Sequence, residues 1–168
     1  MQKLIIISGS PWVGKSTVAE SLFCSYENSA HLDDDWVWHV HPFSFDDPRN
    51  KYINKNMSFV LSTYLSLNFD YVVLSSVRMI SQATRDIVIK DITAENYITI
   101  GFTLTCSEAT LMERYKNRGD QGEISFQWLR RQPVLNDYVI NTDHKTVEQI
   151  VSEMKSIIDH FEDEAVGK

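Results

Sequence analysis

The chain has 168 residues, of which 43% are hydrophobic and 23% are charged. This length and apolar content predict one domain spanning 1–168 with a sizeable core, and they argue against disorder or a fibrous fold. The 16 basic and 23 acidic residues give a net charge of -7, which argues against nucleic acid or an anionic membrane as a general partner. Near the N-terminus the longest apolar run, 4–7, is too short to cross a membrane and has no signal-peptide pattern around it. We therefore expect a cytoplasmic protein.

Strands and helices alternate along the chain, which is typical of a parallel α/β sheet. The predicted strands are 4–8, 29–32, 71–77, 97–105 and 138–140. The predicted helices cover about 15–26, 53–65, 81–92, 107–115, 125–133 and 146–161. Three helix starts carry sequence signals, because Ser107 and Ser125 are preferred N-cap residues and Thr146 with Gln149 fits a capping box.

The segment G-S-P-W-V-G-K-S directly follows the first strand and opens the first helix. It matches the phosphate-binding loop G-x-x-x-x-G-K-[ST], in which backbone N–H groups and a helix N-terminus surround an anion. In such a loop, Lys15 would reach the β- and γ-phosphates and Ser16 would bind Mg²⁺. The predicted nucleotide-binding residues of the loop are Gly9, Ser10, Pro11, Trp12, Val13, Gly14, Lys15, Ser16 and Thr17.

Three further segments join this loop: the acidic run H-L-D-D-D-W after the second strand, the helix L-M-E-R-Y-K-N-R, and the closing Y-V-I-N-T-D-H-K-T-V-E-Q-I. Together they resemble the small P-loop kinases that phosphorylate metabolites, such as shikimate, gluconate, chloramphenicol and nucleoside monophosphate kinases. The resemblance spans nearly the whole chain. It implies a three-layer α/β fold with a five-stranded parallel sheet in the order 2-3-1-4-5, flanked by helices. It also implies a small mobile lid at about 118–132.

The acidic run resembles the D-x-D of shikimate-type kinases, with Asp33 and Asp35 at the matching positions. This resemblance implies that Asp33 helps to hold Mg²⁺ and that Asp35 orients or deprotonates the acceptor hydroxyl, so both would line the substrate site. The alternative is structural: one aspartate caps a helix that begins near Trp36, and the others are solvated.

Arg114 and Arg118 lie four residues apart and therefore on one face of their helix. In related kinases this helix leads into the lid, which implies that both arginines contact the nucleotide. Arg118 would swing onto ATP when the lid closes and stabilise charge in the transition state. The alternative is a solvated basic face that pairs with Glu108 or Glu113.

The third strand departs from the pattern of many P-loop enzymes, because Ser75 and Ser76 stand where a metal-binding aspartate is expected. Either Asp33 compensates or catalysis is weak. Arg78, just beyond, is placed to bind an anionic group of the acceptor, or it forms a surface salt bridge. The aromatic segment 36–45 would belong to the acceptor pocket or to the core.

The two cysteines, Cys24 and Cys106, have no CxxC or His-rich companion, and we expect both to be buried structural thiols. The sequence as a whole predicts an ATP- and Mg²⁺-dependent transfer of the γ-phosphoryl group to a small-molecule acceptor, either a nucleoside or nucleotide or a hydroxylated metabolite. The alternative is a nucleotide-binding module or sensor with weak or no transfer.

Overall fold

The computed structural model describes residues 1–44, 46–119 and 123–166. Its strands are β1 (Gln2–Gly9), β2 (Ser29–Asp33), β3 (Tyr71–Ser75), β4 (Tyr97–Thr105) and β5 (Tyr138–Asn141). Its α-helices are α1 (Lys15–Cys24), α2 (Tyr52–Ser66), α3 (Gln82–Lys90), α4 (Glu108–Arg118) and α5 (Val147–Val166). Short 3₁₀ helices cover Asp34–Val37, Pro48–Lys51 and Arg78–Ile80. None of the helices among the described residues is long and apolar enough to span a bilayer.

The five strands form one parallel sheet in the order β2-β3-β1-β4-β5, which confirms the predicted fold. The central strand is β1, whose Ile5 pairs with Val73 of β3 and with Ile100 of β4. Because the strands are parallel, their carboxyl ends lie at one edge of the sheet, where ligands bind in folds of this type.

Alternate residues of β1 point into two separate cores. Ile5 and Ile7 pack in the cluster formed with α1, α4 and α5, whereas Leu4 and Ile6 pack against α2 and α3. All four of these β1 side chains are fully buried. The continuous apolar run of the first strand is thus explained by helices covering both faces of the sheet.

The caps predicted at Ser107 and at Thr146 are present. The hydroxyl of Ser107 accepts a hydrogen bond from the amide of Thr110 at 3.2 Å, at the start of α4. Thr146 and Gln149 form a reciprocal capping box, in which the Thr146 amide donates to Oε1 of Gln149 at 2.9 Å and the Gln149 amide donates to Oγ1 of Thr146 at 3.3 Å. These bonds satisfy amides that the first helical turn leaves unpaired.

The predicted helix at 125–133 is wrong. This segment contains a single helical turn, in which the amide of Arg130 donates to the carbonyl of Phe126 at 3.1 Å. Pro133 disfavours helical geometry at the residue before it, so the turn cannot extend. The predicted lid lies partly outside the described residues, because it includes 120–122.

The prediction for Cys24 is also wrong, because this thiol is exposed, whereas Cys106 is buried as predicted. The first helix buries Val18, Ala19 and Leu22. Cys24 is the last residue of α1 and is not on that buried face. Its Sγ lies 3.9 Å from the Glu20 carboxylate.

A buried ion pair between Arg85 of α3 and Asp137 joins that helix to the segment before β5. Arg85 also donates to the carbonyl of Met79 at 3.0 Å, and Oγ1 of Thr103 donates to Asp137 at 2.7 Å. Gly101 of β4 makes room for this pair, because a Cβ there would collide with the Asp137 carboxylate and crowd the Arg85 guanidinium.

We expect Gly101→Ala to lower the free energy of unfolding by about 2–4 kcal/mol, because the added methyl group must displace a buried ion pair. Urea denaturation of the variant measures the change. Thr99→Ala, at an exposed position of the same strand, is the matched control and should change stability by less than about 0.5 kcal/mol. A Gly101→Ala variant as stable as its control would contradict this prediction.

Candidate active site

The loop between β1 and α1 is shaped by two glycines. Gly9 has φ 145°, and a Cβ there would come within 2.5 Å of the carbonyl oxygen of Leu104. Gly14 has φ 101° and precedes α1, whose first turn has no side-chain cap and no acidic residue. The N-terminal amides of α1 therefore present partial positive charge that a side chain does not neutralise, which suits an anion.

Lys15, the first residue of α1, folds back over this loop. Its Nζ donates to the carbonyl oxygen of Ser10 at 2.8 Å. Burial lowers the pKa of Lys15 from its usual value to about 8, although the charges of Asp34, Asp33 and Asp35 act in the opposite direction. The Lys15 ammonium group thus lies close to three carboxylates, and each carboxylate favours the charged form of Lys15.

Asp33, Asp34 and Asp35 converge after β2. Each offers a carboxylate oxygen, and these oxygens all lie within 4.8 Å of one another. Asp33 and Asp34 are buried, whereas Asp35 is exposed. Carboxylate oxygens are ligands that Mg²⁺ prefers, so this donor set and spacing fit a divalent cation.

The two serines at the end of β3 hold the two buried carboxylates. Oγ of Ser75 donates to Oδ2 of Asp33 at 2.6 Å, and Oγ of Ser76 donates to Oδ2 of Asp34 at 2.6 Å. Asp33 also accepts the amide of Asp35 at 3.1 Å, so it caps the 3₁₀ helix that follows β2. The capping role that the sequence left open therefore belongs to Asp33. The helix that it caps is the short 3₁₀ helix Asp34–Val37, rather than a longer helix that begins near Trp36.

Asp34 is a residue of the site that was not predicted from the sequence. Burial raises the pKa of Asp34 to about 6, although the hydrogen bond from Ser76 acts in the opposite direction. The D-x-D pattern predicts functional roles for Asp33 and Asp35, on either side of Asp34, and none for Asp34 itself. The only sequence signal for Asp34 is its place in the acidic run, since its burial depends on the turn that Asp33 caps.

Because burial disfavours the charged form of Asp34, we expect Asp34→Asn to raise the free energy of unfolding by about 1–2 kcal/mol at pH 7. The pKa of Asp34 is raised from 3.8 to about 6 in the folded protein. The free-energy cost of burying its charge therefore develops as the pH rises between these two values. The gain should therefore vanish near pH 4 and stay constant above about pH 6. Thermal melts at both pH values test this, with the exposed Asp91→Asn as control. A variant less stable than the native protein at pH 7 would contradict it.

The two predicted arginines of α4 both line the same cleft. Arg114 donates to the carbonyl oxygen of Val13 at 2.9 Å, to Oγ1 of Thr142 at 2.9 Å and to the carbonyl oxygen of Thr142 at 3.1 Å. It therefore connects the phosphate loop to the residue after β5. Arg118 is exposed at the end of α4. Arg78 opens a 3₁₀ helix after β3 and is not among the described residues that line the cleft.

The cleft has a volume of about 770 Å³, which is within the usual range for small-molecule sites. Residues 11–18 of the loop and α1, together with the three aspartates, form one side. Several other lining residues were not predicted as site residues from the sequence, and these are Ser75, Val77, Tyr115, Glu123, Lys145, Val147 and Ile150. They come from separate elements, so a motif within one segment could not identify them.

The aromatic segment after the aspartates divides between surface and core. Trp36 is 63% exposed and Phe43 is 48% exposed. Trp38 is partly buried and packs against the cluster that contains α2. Phe45 lies outside the described residues. The core role predicted for this segment thus applies to Trp38 and not to Trp36 or Phe43.

A glycine-shaped loop at the N-terminus of a helix, at the carboxyl edge of a parallel sheet, defines the P-loop class of fold. No protein-family model and no curated protein sequence matches the chain. Solved structures do. A gluconokinase from Sinorhizobium meliloti has a TM-score of 0.63 and 18% identity, with coverage of 90% of this chain and 88% of that one.

An APS kinase from Mycobacterium tuberculosis, solved with AMPPNP and APS, has a TM-score of 0.65 and 17% identity, covering 94% of this chain and 98% of that one. A tunicamycin resistance protein from Deinococcus radiodurans has a TM-score of 0.67 and 16% identity, covering 94% and 96%. At these identities the similarity establishes the fold. Within the P-loop class, it is the fold of the small P-loop kinases, as the sequence predicted.

Proposed function

We propose that this protein is a kinase that transfers the γ-phosphoryl group of ATP to a small-molecule acceptor. One observation carries the proposal: the ammonium group of Lys15 and three carboxylates meet in one cleft beside the amides of a phosphate loop. Phosphoryl transfer needs little covalent chemistry from a protein, but it needs a positioned triphosphate, charge neutralisation and an aligned acceptor oxygen. This cleft contains groups suited to each need.

The nucleotide would be held mainly by the loop. Its amides and the N-terminus of α1 bind phosphate oxygens, and Lys15 exchanges its bond with the Ser10 carbonyl for one with the phosphates. Arg118, exposed at the rim, binds the transferring group as its charge develops. Arg114 supports the loop through Val13, and we infer that this contact is its main contribution to nucleotide binding.

The donor set fits Mg²⁺, with the hydroxyl of Ser16 and the carboxylates of Asp33 and Asp34 as the groups that would hold it. When bound, the ion neutralises charge on the phosphates and orients them. Both carboxylate oxygens of Asp33 accept hydrogen bonds, from Ser75 and from the Asp35 amide, whereas Asp34 accepts the bond from Ser76 through Oδ2. We therefore add Asp34 to the predicted ligands Ser16 and Asp33.

Asp35 is the exposed carboxylate of the three, so an acceptor can reach it from solvent. It would accept the proton of the acceptor hydroxyl as the new bond forms between that oxygen and the γ-phosphorus, while the bond from the γ-phosphorus to the β,γ-bridging oxygen breaks and ADP leaves. A phosphate acceptor needs no such base. We propose a small molecule, rather than nucleic acid, as acceptor, and the cytoplasm as the place of action.

The experiment that tests this function is the release of ADP from Mg-ATP in the presence of individual acceptors. The panel should contain nucleosides, nucleotides, sugar acids and hydroxylated antibiotics. We expect at least one acceptor to stimulate release and to appear as its phosphorylated product by mass spectrometry. If Mg-ATP binds tightly and no acceptor is phosphorylated, a nucleotide-binding module replaces the kinase. The serines at the end of β3, where a carboxylate is expected, are the observation that favours that alternative.

A further inference from the structure

A series of hydrogen bonds leads from the surface of α1 to the carboxylate cluster. Oε2 of Glu20 lies 3.2 Å from Nδ1 of His31, and Nε2 of His31 lies 3.1 Å from Oγ of Ser75. Ser75 in turn donates to Oδ2 of Asp33 at 2.6 Å. The series links α1, β2 and β3 and ends at a proposed metal ligand.

Chemistry sets the direction of the two inner bonds. An ionised carboxylate only accepts hydrogen bonds, so the single proton of the Ser75 hydroxyl is directed to Asp33. The oxygen of Ser75 must then accept from His31, which places a proton on Nε2. The bond from His31 therefore supports the orientation in which the Ser75 hydroxyl donates to Asp33.

The surroundings of His31 hold its ring in this orientation. The side chain is buried, with the ring of Trp36 edge-on at 5.0 Å and the ring of Phe23 at 6.0 Å between centroids. Ser75 is fully buried. Without the N–H of His31, the buried oxygen of Ser75 would be an unsatisfied hydrogen-bond acceptor, which has a substantial free-energy cost. The bond from His31 to Ser75 is therefore strongly favoured.

The cluster needs such an arrangement because three like charges within 4.8 Å repel one another. We propose that His31 is a positioning residue, which holds Ser75 as a donor to Asp33 and so keeps the cluster arranged to receive the Mg²⁺ of a Mg-nucleotide. This inference rests on the proposed function in one respect, which is that a Mg-nucleotide is the ligand.

The test measures metal binding to the full chain loaded with ADP, with Mn²⁺ as the probe and free Mn²⁺ quantified by electron paramagnetic resonance. We expect His31→Phe, which removes the donor, to weaken Mn²⁺ binding about tenfold and to change the affinity for metal-free ADP by less than about twofold. His31→Gln keeps a side-chain N–H that can donate to Ser75. It should restore Mn²⁺ binding to within about threefold of the native value.

A double-mutant cycle tests whether His31 acts through Ser75. Ser75→Ala alone should weaken Mn²⁺ binding as much as His31→Phe does, and the double variant should be no weaker than either, because the two changes break the same connection. Ser58→Ala is the matched control, since Ser58 is another buried serine and donates to the carbonyl of Val88, away from the cluster. It should leave Mn²⁺ binding unchanged.

Unchanged Mn²⁺ affinity in His31→Phe, an equal loss of affinity for metal-free ADP, or additive effects in the cycle would each overturn the inference. Should His31→Phe fail to fold, Ser75→Ala decides, and native Mn²⁺ affinity in that variant overturns it. The readout is metal binding rather than transfer. A protein that phosphorylates no acceptor but shows the expected Mn²⁺ losses would contradict the proposed function and support this inference.

Discussion

Lys15→Ala should lower kcat for phosphoryl transfer by about 10²–10³-fold, the cost typical of removing one group that stabilises charge in a transition state. Lys15 is the ammonium group that folds over the phosphate loop, and it faces all three aspartates. The affinity for Mg-ATP should fall as well, because the same charge binds the ground-state phosphates.

Steady-state ADP release with a stimulating acceptor measures the rate, and titration calorimetry measures the affinity. Lys90→Ala, at the exposed end of α3, is the control and should retain native kinetics. If Lys15→Ala keeps more than about a third of native kcat, the proposed role of Lys15 is wrong.

Asp35→Asn should lower kcat by about 10²–10⁴-fold for a hydroxyl acceptor while the KM for Mg-ATP stays within about twofold, because a general base acts in the chemical step. The amide keeps the size of the side chain and removes the proton acceptor. Single-turnover transfer, followed by quenched flow, measures the chemical step directly.

Asp46→Asn, at an exposed position in the following loop, is the matched control and should behave as the native protein. The assignment of the base to Asp35 fails if Asp35→Asn is nearly as active as this control. A rise in the KM for Mg-ATP without a fall in kcat would instead place Asp35 among the groups that bind the Mg-nucleotide.

The sequence was sufficient to predict those parts of the molecule that depend on local patterns. The buried strand before the loop, the glycines of the loop and the capping box at Thr146 and Gln149 each involve residues close together in the chain. The strand order followed from the resemblance to P-loop kinases. The observed sheet confirms it. A parallel sheet with helices on both faces allows few arrangements of its strands.

The contacts that shape the site could not be predicted in the same way. The bonds of Ser75 to Asp33 and of Ser76 to Asp34 join positions 42 apart, and they exist because β2 and β3 are neighbours with Asp33 opposite Ser75. From the sequence alone, the missing carboxylate at the end of β3 suggests either compensation by Asp33 or weak catalysis, whereas the structure shows what the serines there contact. The hydroxyl groups of Ser75 and Ser76 take the place of that carboxylate, and they hold the carboxylates of Asp33, at the end of β2, and of Asp34, just after it.

The contacts of Arg114 also have a consequence for how the protein is made. Its guanidinium joins Val13, near the start of the chain, to Thr142, which follows the last strand. Chains are synthesised from the N-terminus, so the phosphate loop leaves the ribosome long before Thr142 does. A nascent or truncated chain that ends before residue 142 contains the complete loop motif but lacks Thr142, which accepts two of the hydrogen bonds of Arg114. The phosphate loop therefore gains its link through Arg114 to Thr142 only after β5 has been synthesised.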